Sequence, residues 1–191
     1  MRIISGKAGG ITLSVPKGEV RPTTDRVREA VFSILNPLMD RADVLDLFTG
    51  SGAFGLEALS RGAGNARMVD FSRLSCAAAR ANLVKTGLEG GTVIQGDAVQ
   101  FVKRELLAGR KYAIIFADPP YCKGPADLDF IVELAEAGVA GLLKSGGVFI
   151  AEVQEGWGTG REGAAEIDGL NLVDTRRYGK NMLLFYQLPE K

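Results

Sequence analysis

Short apolar runs alternate along the chain with segments in which apolar residues recur every three to four positions. The apolar runs span 43–48, 66–70, 92–97, 112–118 and 147–153. Such runs are typical of parallel strands, which are buried on both faces. Helical patterns closed by glycines lie between them, at 53–61, 73–86, 98–108 and about 126–138. This βαβ series predicts an α/β fold with a doubly wound, mostly parallel sheet.

Both ends of the chain depart from that series. At the front, "RII" and "ITLSV" flank a glycine-bearing turn and predict a small hairpin. A helix is expected after it, because Val27, Val31, Ile34 and Leu38 form one apolar stripe. At the back, the segment "LNLVDTRRYGKNMLLFYQL" predicts two antiparallel strands joined by a tight basic turn. We expect this pair to end the sheet.

Composition narrows the chemistry that the fold can perform. The 191 residues include 23 Lys and Arg against 23 Asp and Glu, so a nucleic-acid partner would be held by local basic patches. Two cysteines and no histidine are too few for a zinc site built from these ligands, and we predict no metal. The start of the chain lacks a signal-peptide core, and no apolar run approaches the length that spans a bilayer. We therefore expect a cytoplasmic protein.

The glycine series G-x-G-x-x-G in "DLFTGSGAFG", residues 46–55, predicts a ligand loop between a strand and a helix. The same spacing serves nicotinamide cofactors and S-adenosylmethionine, and it also allows tight packing without any ligand. Asp46 places a negative charge near this loop, which suits an ammonium or sulfonium better than a pyrophosphate. Asp70 is placed to accept hydrogen bonds from ribose hydroxyls of either cofactor. Asp97 could accept from an adenine amino group or simply cap the next helix.

The tetrad "DPPY", Asp118, Pro119, Pro120 and Tyr121, follows the fourth strand. Proline rings keep the chain extended, so the Asp118 carboxylate and the Pro119 carbonyl become two fixed acceptors. Two acceptors can orient an exocyclic amine of a nucleobase for attack on a methyl group, and Tyr121 offers a face for base stacking. The alternative is a rigid turn that closes a strand. Together with the acids upstream, the tetrad favours S-adenosylmethionine as the cofactor.

With these residues in place, the chain resembles the bacterial 16S ribosomal RNA guanine-N2 methyltransferases that act on guanine 966. The resemblance rests on "MRIISGK", "RPTTDRVREAVFSIL", "DLFTGSGAFGLEALSRGA", "DPPY" and "RRYGKNMLLFYQ", which cover nearly the whole chain. It implies a seven-stranded Rossmann-like methyltransferase domain over 41–191, preceded by an N-terminal extension over 1–40 that helps to hold RNA. The implied substrate is ribosomal RNA in the assembling or assembled small subunit, and we expect a monomer.

The resemblance also implies the roles of individual residues. The tetrad would hold the guanine. The cofactor would be surrounded by the segment 23–28, which includes Thr23, and by further residues: Asp46, Phe48, Gly50, Gly52, Asp70, Asp97 and Ala98. A purely structural alternative is that residues 21–35 form an amphipathic helix that covers the sheet. The hairpin "GKAGGITLSVP" carries fewer basic and aromatic residues than the family suggests. The expected RNA contacts are then made by Arg2, Lys7, Arg21, Arg26, Arg28, Arg176, Arg177 and Lys180. The last three could instead form a solvated turn.

Three other functions remain open at this point. An amino-methyltransferase of DNA or of another RNA would also use DPPY, but a DNA enzyme needs a base-recognition region for which the chain has no room. A nicotinamide-dependent oxidoreductase is disfavoured by Asp46. A non-catalytic RNA-binding protein on the same scaffold would keep RNA binding after Asp118→Ala.

Overall fold

The computed structural model describes residues 1–15, 25–120, 129–155, 157 and 167–189. They belong to two compact units, Met1–Asp97 and Ala98–Lys191. The predicted division at residue 40 stays a prediction. No helix in these ranges is long and apolar enough to cross a membrane.

The first unit contains three parallel strands in the order β3-β2-β1. The strands are β1 (Asp43–Leu47), β2 (Asn65–Asp70) and β3 (Gly91–Gln95). The helices are α1 (Asp25–Leu35), α2 (Ala53–Ser60) and α3 (Arg73–Thr86). The predicted bounds of α3 are matched because both of its ends are encoded locally. Ser72 accepts from the amide of Ser75, and Gly87 ends the helix at a φ of 63°.

The N-terminal segment, defined as residues 1–15, is attached to this unit by polar contacts. The predicted hairpin is short, with one isolated antiparallel bridge between Arg2 and Thr12 and backbone hydrogen bonds from Ile3 to Ile11 and from Leu13 to Met1. The fully buried carboxylate of Glu57 on α2 accepts from the amides of Ile4 (2.7 Å) and Ser5 (3.1 Å). The hydroxyl of Ser60 accepts from the amide of Ala8 at 3.0 Å. The segment therefore packs along α2, where buried side chains satisfy the amides of Ile4, Ser5 and Ala8.

The second unit contains the other four strands, in the order β4-β5-β7-β6. Its helices are α4 (Ala98–Leu107) and α5 (Phe130–Glu136), and its strands are β4 (Tyr112–Ala117), β5 (Leu143–Gln154), β6 (Asn171–Tyr178) and β7 (Asn181–Gln187). Strand β4 is parallel to β5, whereas β7 pairs antiparallel with β5 and β6. The predicted terminal antiparallel pair is present, and the fold is α/β with a seven-stranded mixed sheet.

Candidate functional site

The loop between β1 and α2 turns through several left-handed residues. Phe48, Gly50 and Gly52 have φ values of 61°, 56° and 81°. Two of these positions are glycines, for which this conformation costs little, but Phe48 adopts it at a cost in backbone strain. The amide of Thr49 donates to the carbonyl of Val69 at 3.0 Å, so the loop is fixed to the end of β2. The surrounding structure therefore holds the loop in a conformation that it would not adopt alone.

Asp46 stabilises this loop from within the protein. Its side chain is buried, with 1% exposed, and its Oδ2 accepts from Thr49 Oγ1 at 2.5 Å and from the Gly55 amide at 2.9 Å. Burial, the largest cause, and the nearby charge of Asp70 together raise the pKa of Asp46 to about 7, although the two hydrogen bonds act in the opposite direction. A positively charged ligand beside the loop would favour the ionised form.

Asp70 joins the end of β2 to the same loop. Its Oδ2 accepts from the Gly50 amide and its Oδ1 from the Ser72 amide, each at 2.8 Å. An ionised carboxylate has about four acceptor positions, so these two bonds leave capacity for hydroxyl donors. The carbonyl of Asp70 also accepts from the Gly96 amide at 3.0 Å, which brings the end of β3 close to it. Exposed Asp97 follows directly.

An exposed aromatic side chain next to Asp70 was not predicted from the sequence. Phe71 is 79% exposed, and Leu74, one helical turn later, is 69% exposed. Contiguous exposed apolar side chains, in contrast to isolated ones, are typical of binding surfaces. The signal was available in the sequence "MVDFS", where an aromatic residue follows the acid that ends a strand. The glycine loop, Asp46, Asp70 and Phe71 thus form one cluster in the first unit.

The third glycine of the series has a packing role. A Cβ atom at Gly55 would lie 2.6 Å from Cγ and 2.9 Å from Sδ of Met68 on β2. We expect Gly55→Ala to lower the free energy of unfolding by about 1–3 kcal/mol, because either α2 or Met68 must shift. Urea unfolding measures the change. Gly96→Ala is the matched control, since its Cβ meets nothing within 4 Å, and an equal effect of both variants would contradict this role.

The DPPY tetrad lies at the carboxyl end of β4 in the second unit. Asp118 is half-buried, Pro119 buried and Pro120 exposed. Strand β4 is parallel to β5 up to Ala117, so a buried strand fixes the start of the tetrad. Tyr121 lies outside the described residues. Ala98, predicted to contact the cofactor, is buried at the start of α4.

The basic residues near the N-terminus differ sharply in exposure. Arg2 is 65% exposed and lies 3.4 Å from a carboxylate oxygen of Asp25. Lys7 and Arg26 are also exposed. Arg28, in contrast, is 2% exposed. Its Nη2 donates to the carbonyl of Arg2 and to Asp25, whereas its Nε and Nη1 have no hydrogen-bond partner in the part of the chain that the structure describes. Thr23 and Arg21 lie outside that part.

The C-terminal basic residues take part in ion pairs on the hairpin β6–β7. Arg176 pairs with Asp174 at 2.8 Å, and Arg177 pairs with Glu155 at 2.9 Å. Lys180 is exposed in the turn. Two of the three charges are therefore partly compensated by carboxylates.

Comparisons with known proteins place the chain in a family. A family model described as conserved hypothetical protein 95 matches residues 1–187. Ribosomal RNA small subunit methyltransferase D of Escherichia coli K12 is 40% identical over 125 residues, which are 65% of this chain and 62% of that protein. Putative rRNA methyltransferase YlbH of Bacillus subtilis 168 is 37% identical over 123 residues, which are 63% of this chain and 67% of that protein. The match thus spans less than two thirds of the Escherichia coli relative.

Solved structures match over more of the chain. The putative methyltransferase yhhF from Escherichia coli is 33% identical, with a TM-score of 0.80 over 98% of this chain and 97% of that one. SMU.776, a putative methyltransferase complexed with SAH, is 18% identical, with a TM-score of 0.69 over 85% of this chain and 48% of that one. The second likeness supports the fold alone.

The predicted fold class is confirmed by these matches and by the seven-stranded sheet. The chain belongs to the family described as conserved hypothetical protein 95, and its fold is the Rossmann-like fold of S-adenosylmethionine-dependent methyltransferases.

Proposed function

We propose that the chain transfers a methyl group from S-adenosylmethionine to the exocyclic N2 amine of a guanine in small-subunit ribosomal RNA. The observation that carries the proposal is the glycine loop braced by Asp46 and Asp70, in a chain whose family match covers residues 1–187. The printed names of the Escherichia coli and Bacillus subtilis relatives support ribosomal RNA as the substrate.

The charges around the loop favour a cationic ligand. A pyrophosphate would lie near Asp46 and Asp70, and both carboxylates would repel it. The sulfonium and ammonium of S-adenosylmethionine are attracted by the same carboxylates. The remaining acceptor positions of Asp70 suit ribose hydroxyls, and the exposed ring of Phe71 suits an adenine face. The loop residues present therefore fit S-adenosylmethionine better than a nicotinamide cofactor.

Arg28 fits the one anionic group of this cofactor. The methionine carboxylate can accept a charge-assisted N–H bond from a guanidinium, and Arg28 has two buried nitrogens, Nε and Nη1, without a described partner, either of which can donate such a bond. Two hydrogen bonds connect Arg28 to the loop. Nη2 of Arg28 donates to the carbonyl of Arg2, and the side chain of the adjacent Met1 accepts from Ser51 Oγ of the loop at 3.3 Å. We assign Arg28 to the cofactor rather than to RNA.

The assignment gives a prediction that separates binding from stability. Arg28→Met should weaken S-adenosylhomocysteine binding by about 10-fold to 100-fold, the worth of a charge-assisted bond. The free energy of unfolding should stay constant or rise, because a poorly paired buried charge is removed. Calorimetry and urea unfolding measure the two quantities. Arg80→Met on α3, which changes an exposed arginine, is the control, and an unchanged affinity of Arg28→Met would refute the assignment.

Asp118 and Pro119 would hold the amine that is methylated. The lone pair of this amine is delocalised into the guanine ring, which makes it a weak nucleophile. When bound, S-adenosylmethionine supplies an electrophilic methyl group. The Asp118 carboxylate and the Pro119 carbonyl accept the two N–H bonds, orient the nitrogen and stabilise the positive charge that develops on it. Asp118 then accepts the proton, so the reaction needs no histidine. Stacking of the base on Tyr121 remains a prediction.

The exposed basic residues and the net charge bear on the form of RNA that the protein recognises. Lys7 and Arg26 are exposed, but the chain has no net charge, so recognition of an assembled ribosomal particle by shape fits better than tight binding to naked RNA. Action on ribosomal RNA implies a cytoplasmic location. We keep the monomeric state as a prediction.

Methyl transfer to three substrates in parallel tests the proposal. Small ribosomal subunits from cells that lack this activity, naked ribosomal RNA and duplex DNA are incubated with the protein and methyl-labelled S-adenosylmethionine. We expect label in the small subunits and little in naked RNA. Label in DNA would support the alternative amino-methyltransferase, and RNA binding without any transfer would support a non-catalytic RNA-binding protein.

A further inference from the structure

The buried amide of Asn82 on α3 connects two parts of the first unit that are far apart in sequence. The side chain is fully buried. Its Oδ1 accepts from the Ser14 amide at 2.8 Å, and its Nδ2 donates to the carbonyls of Ser14 at 2.9 Å and Ser51 at 2.8 Å. Both N–H donors are therefore used, one on the N-terminal segment and one on the glycine loop.

The position of Ser51 gives this contact a functional meaning. Ser51 lies between Gly50 and Gly52, the two left-handed glycines of the loop, and is itself 3% exposed. If the Asn82 donor is removed, a carbonyl buried to this extent cannot replace it with a hydrogen bond from bulk water. Because strained Phe48 is three residues away, the loop depends on such contacts to keep its shape.

One further contact of the N-terminal segment reaches the loop, the hydrogen bond that Ser51 Oγ donates to Met1 Sδ at 3.3 Å, whereas the contacts made by Ser60 and Lys85 do not. Ser60 accepts from the amide of Ala8 and donates to the carbonyl of Ser5, at 3.0 Å and 2.5 Å, but these bonds involve the last residue of α2. Lys85 on α3 donates to the carbonyl of Thr12 at 2.6 Å from an exposed position. The segment is thus held at several points, and Asn82 is the point at which it shares a side chain with the loop.

We propose that Asn82 is a positioning residue that couples the end of the N-terminal segment around Ser14 to the glycine loop, so that cofactor affinity depends on the docking of the residues around Ser14. The inference rests on the proposed function, because it takes the loop to be the cofactor site. Coupling of this kind is reciprocal. Cofactor binding should therefore tighten the attachment of residues around Ser14, and loosening of that attachment should weaken cofactor binding.

A pair of variants separates coupling from a general loss of stability. Asn82→Ala removes the bonds to both parts, whereas Ser60→Ala removes buried bonds to the segment alone. Both should lower the unfolding midpoint. Calorimetry with S-adenosylhomocysteine should show at least tenfold weaker binding for Asn82→Ala and a change within twofold for Ser60→Ala. Similar affinities for the two variants would overturn the proposal.

Hydrogen exchange in the wild-type chain tests the same coupling without any variant, and so remains decisive if Asn82→Ala fails to fold. Saturating S-adenosylhomocysteine should slow exchange of the Ser14 amide several-fold and leave that of Ala8, held by Ser60, nearly unchanged. Equal rates at Ser14 with and without ligand would overturn the proposal. A wild-type chain that binds no S-adenosylhomocysteine would instead contradict the cofactor assignment, so the two failures are distinguishable.

Discussion

Replacing Asp118 with alanine should lower kcat by about a thousandfold while S-adenosylhomocysteine affinity stays within twofold. The carboxylate is one of two acceptors that would orient the amine and stabilise its developing charge, and loss of one such preorganised group costs about 10²–10³ in rate. Loss of the proton acceptor adds to this cost. Single-turnover methyl transfer to the small subunit measures the rate, and calorimetry measures the affinity.

Asp118→Asn and an unrelated aspartate sharpen this test. Asparagine keeps a carbonyl oxygen but lacks the charge and the proton affinity. The kcat of Asp118→Asn should therefore exceed that of Asp118→Ala by at most about tenfold. Asp168→Ala changes an exposed aspartate between β5 and β6 and should leave kcat unaltered. A wild-type rate in Asp118→Ala would exclude this carboxylate from the reaction.

Replacing Asp46 with asparagine should stabilise the protein at pH 8 and weaken its binding of S-adenosylhomocysteine. The asparagine oxygen can still accept from Thr49 and Gly55, but the buried negative charge is gone. Because the pKa of Asp46 is raised to about 7, ionisation at pH 8 costs on the order of a few kcal/mol of folding free energy. We expect a gain of about 1–3 kcal/mol in urea unfolding at that pH.

The raised pKa of Asp46 determines how the stability difference between Asp46→Asn and the wild type changes with pH. The folded-state pKa of Asp46, about 7, lies above the ordinary aspartate value of 3.8. Between these two values the folded state binds more protons than the unfolded state. The favourable contribution of protonated Asp46 to the free energy of unfolding is therefore complete below about pH 4 and is lost as the pH rises through 7. The stability advantage of Asp46→Asn should therefore be small at pH 4 and largest at pH 8. A pH-independent difference would contradict the assigned titration.

Ligand binding should show the opposite preference. The ionised carboxylate attracts the ammonium of S-adenosylhomocysteine, a thioether that lacks the sulfonium charge, so wild-type affinity should rise between pH 6 and 8. Asp46→Asn should bind S-adenosylhomocysteine about tenfold more weakly at pH 8 and with a flatter pH profile. A variant that is both more stable and equally tight in binding would show that the charge has no part in cofactor recognition.

Local signals explain why so much of the fold could be predicted. Strands β1 and β4 are continuous buried runs, and α3 begins at the Ser72 cap and ends at Gly87. Each of these features is encoded within a few residues. The glycine series and the acids beside it were recognised for the same reason, since their spacing along the chain carries the chemistry.

Contacts between distant residues could not be predicted in this way. Glu57 and Ser60 look like ordinary polar positions on a helix, yet both are buried beneath the N-terminal segment. Asn82 lies 68 positions from Ser14, and nothing in the sequence signals that the two meet. Arg28 was predicted both within the segment 23–28 around the cofactor and as one of several basic residues that contact RNA, and its burial and unpartnered nitrogens, within the described residues, favour the first role.

The identity of the methylated nucleoside tests the central claim most directly. Small subunits labelled by the protein from methyl-labelled S-adenosylmethionine are digested to nucleosides, which are then separated and compared with standards. The proposed mechanism predicts that the label is in N2-methylguanosine and that Asp118→Ala removes it. Label in a methylated adenosine or cytidine, or on a ribose hydroxyl, would contradict the account.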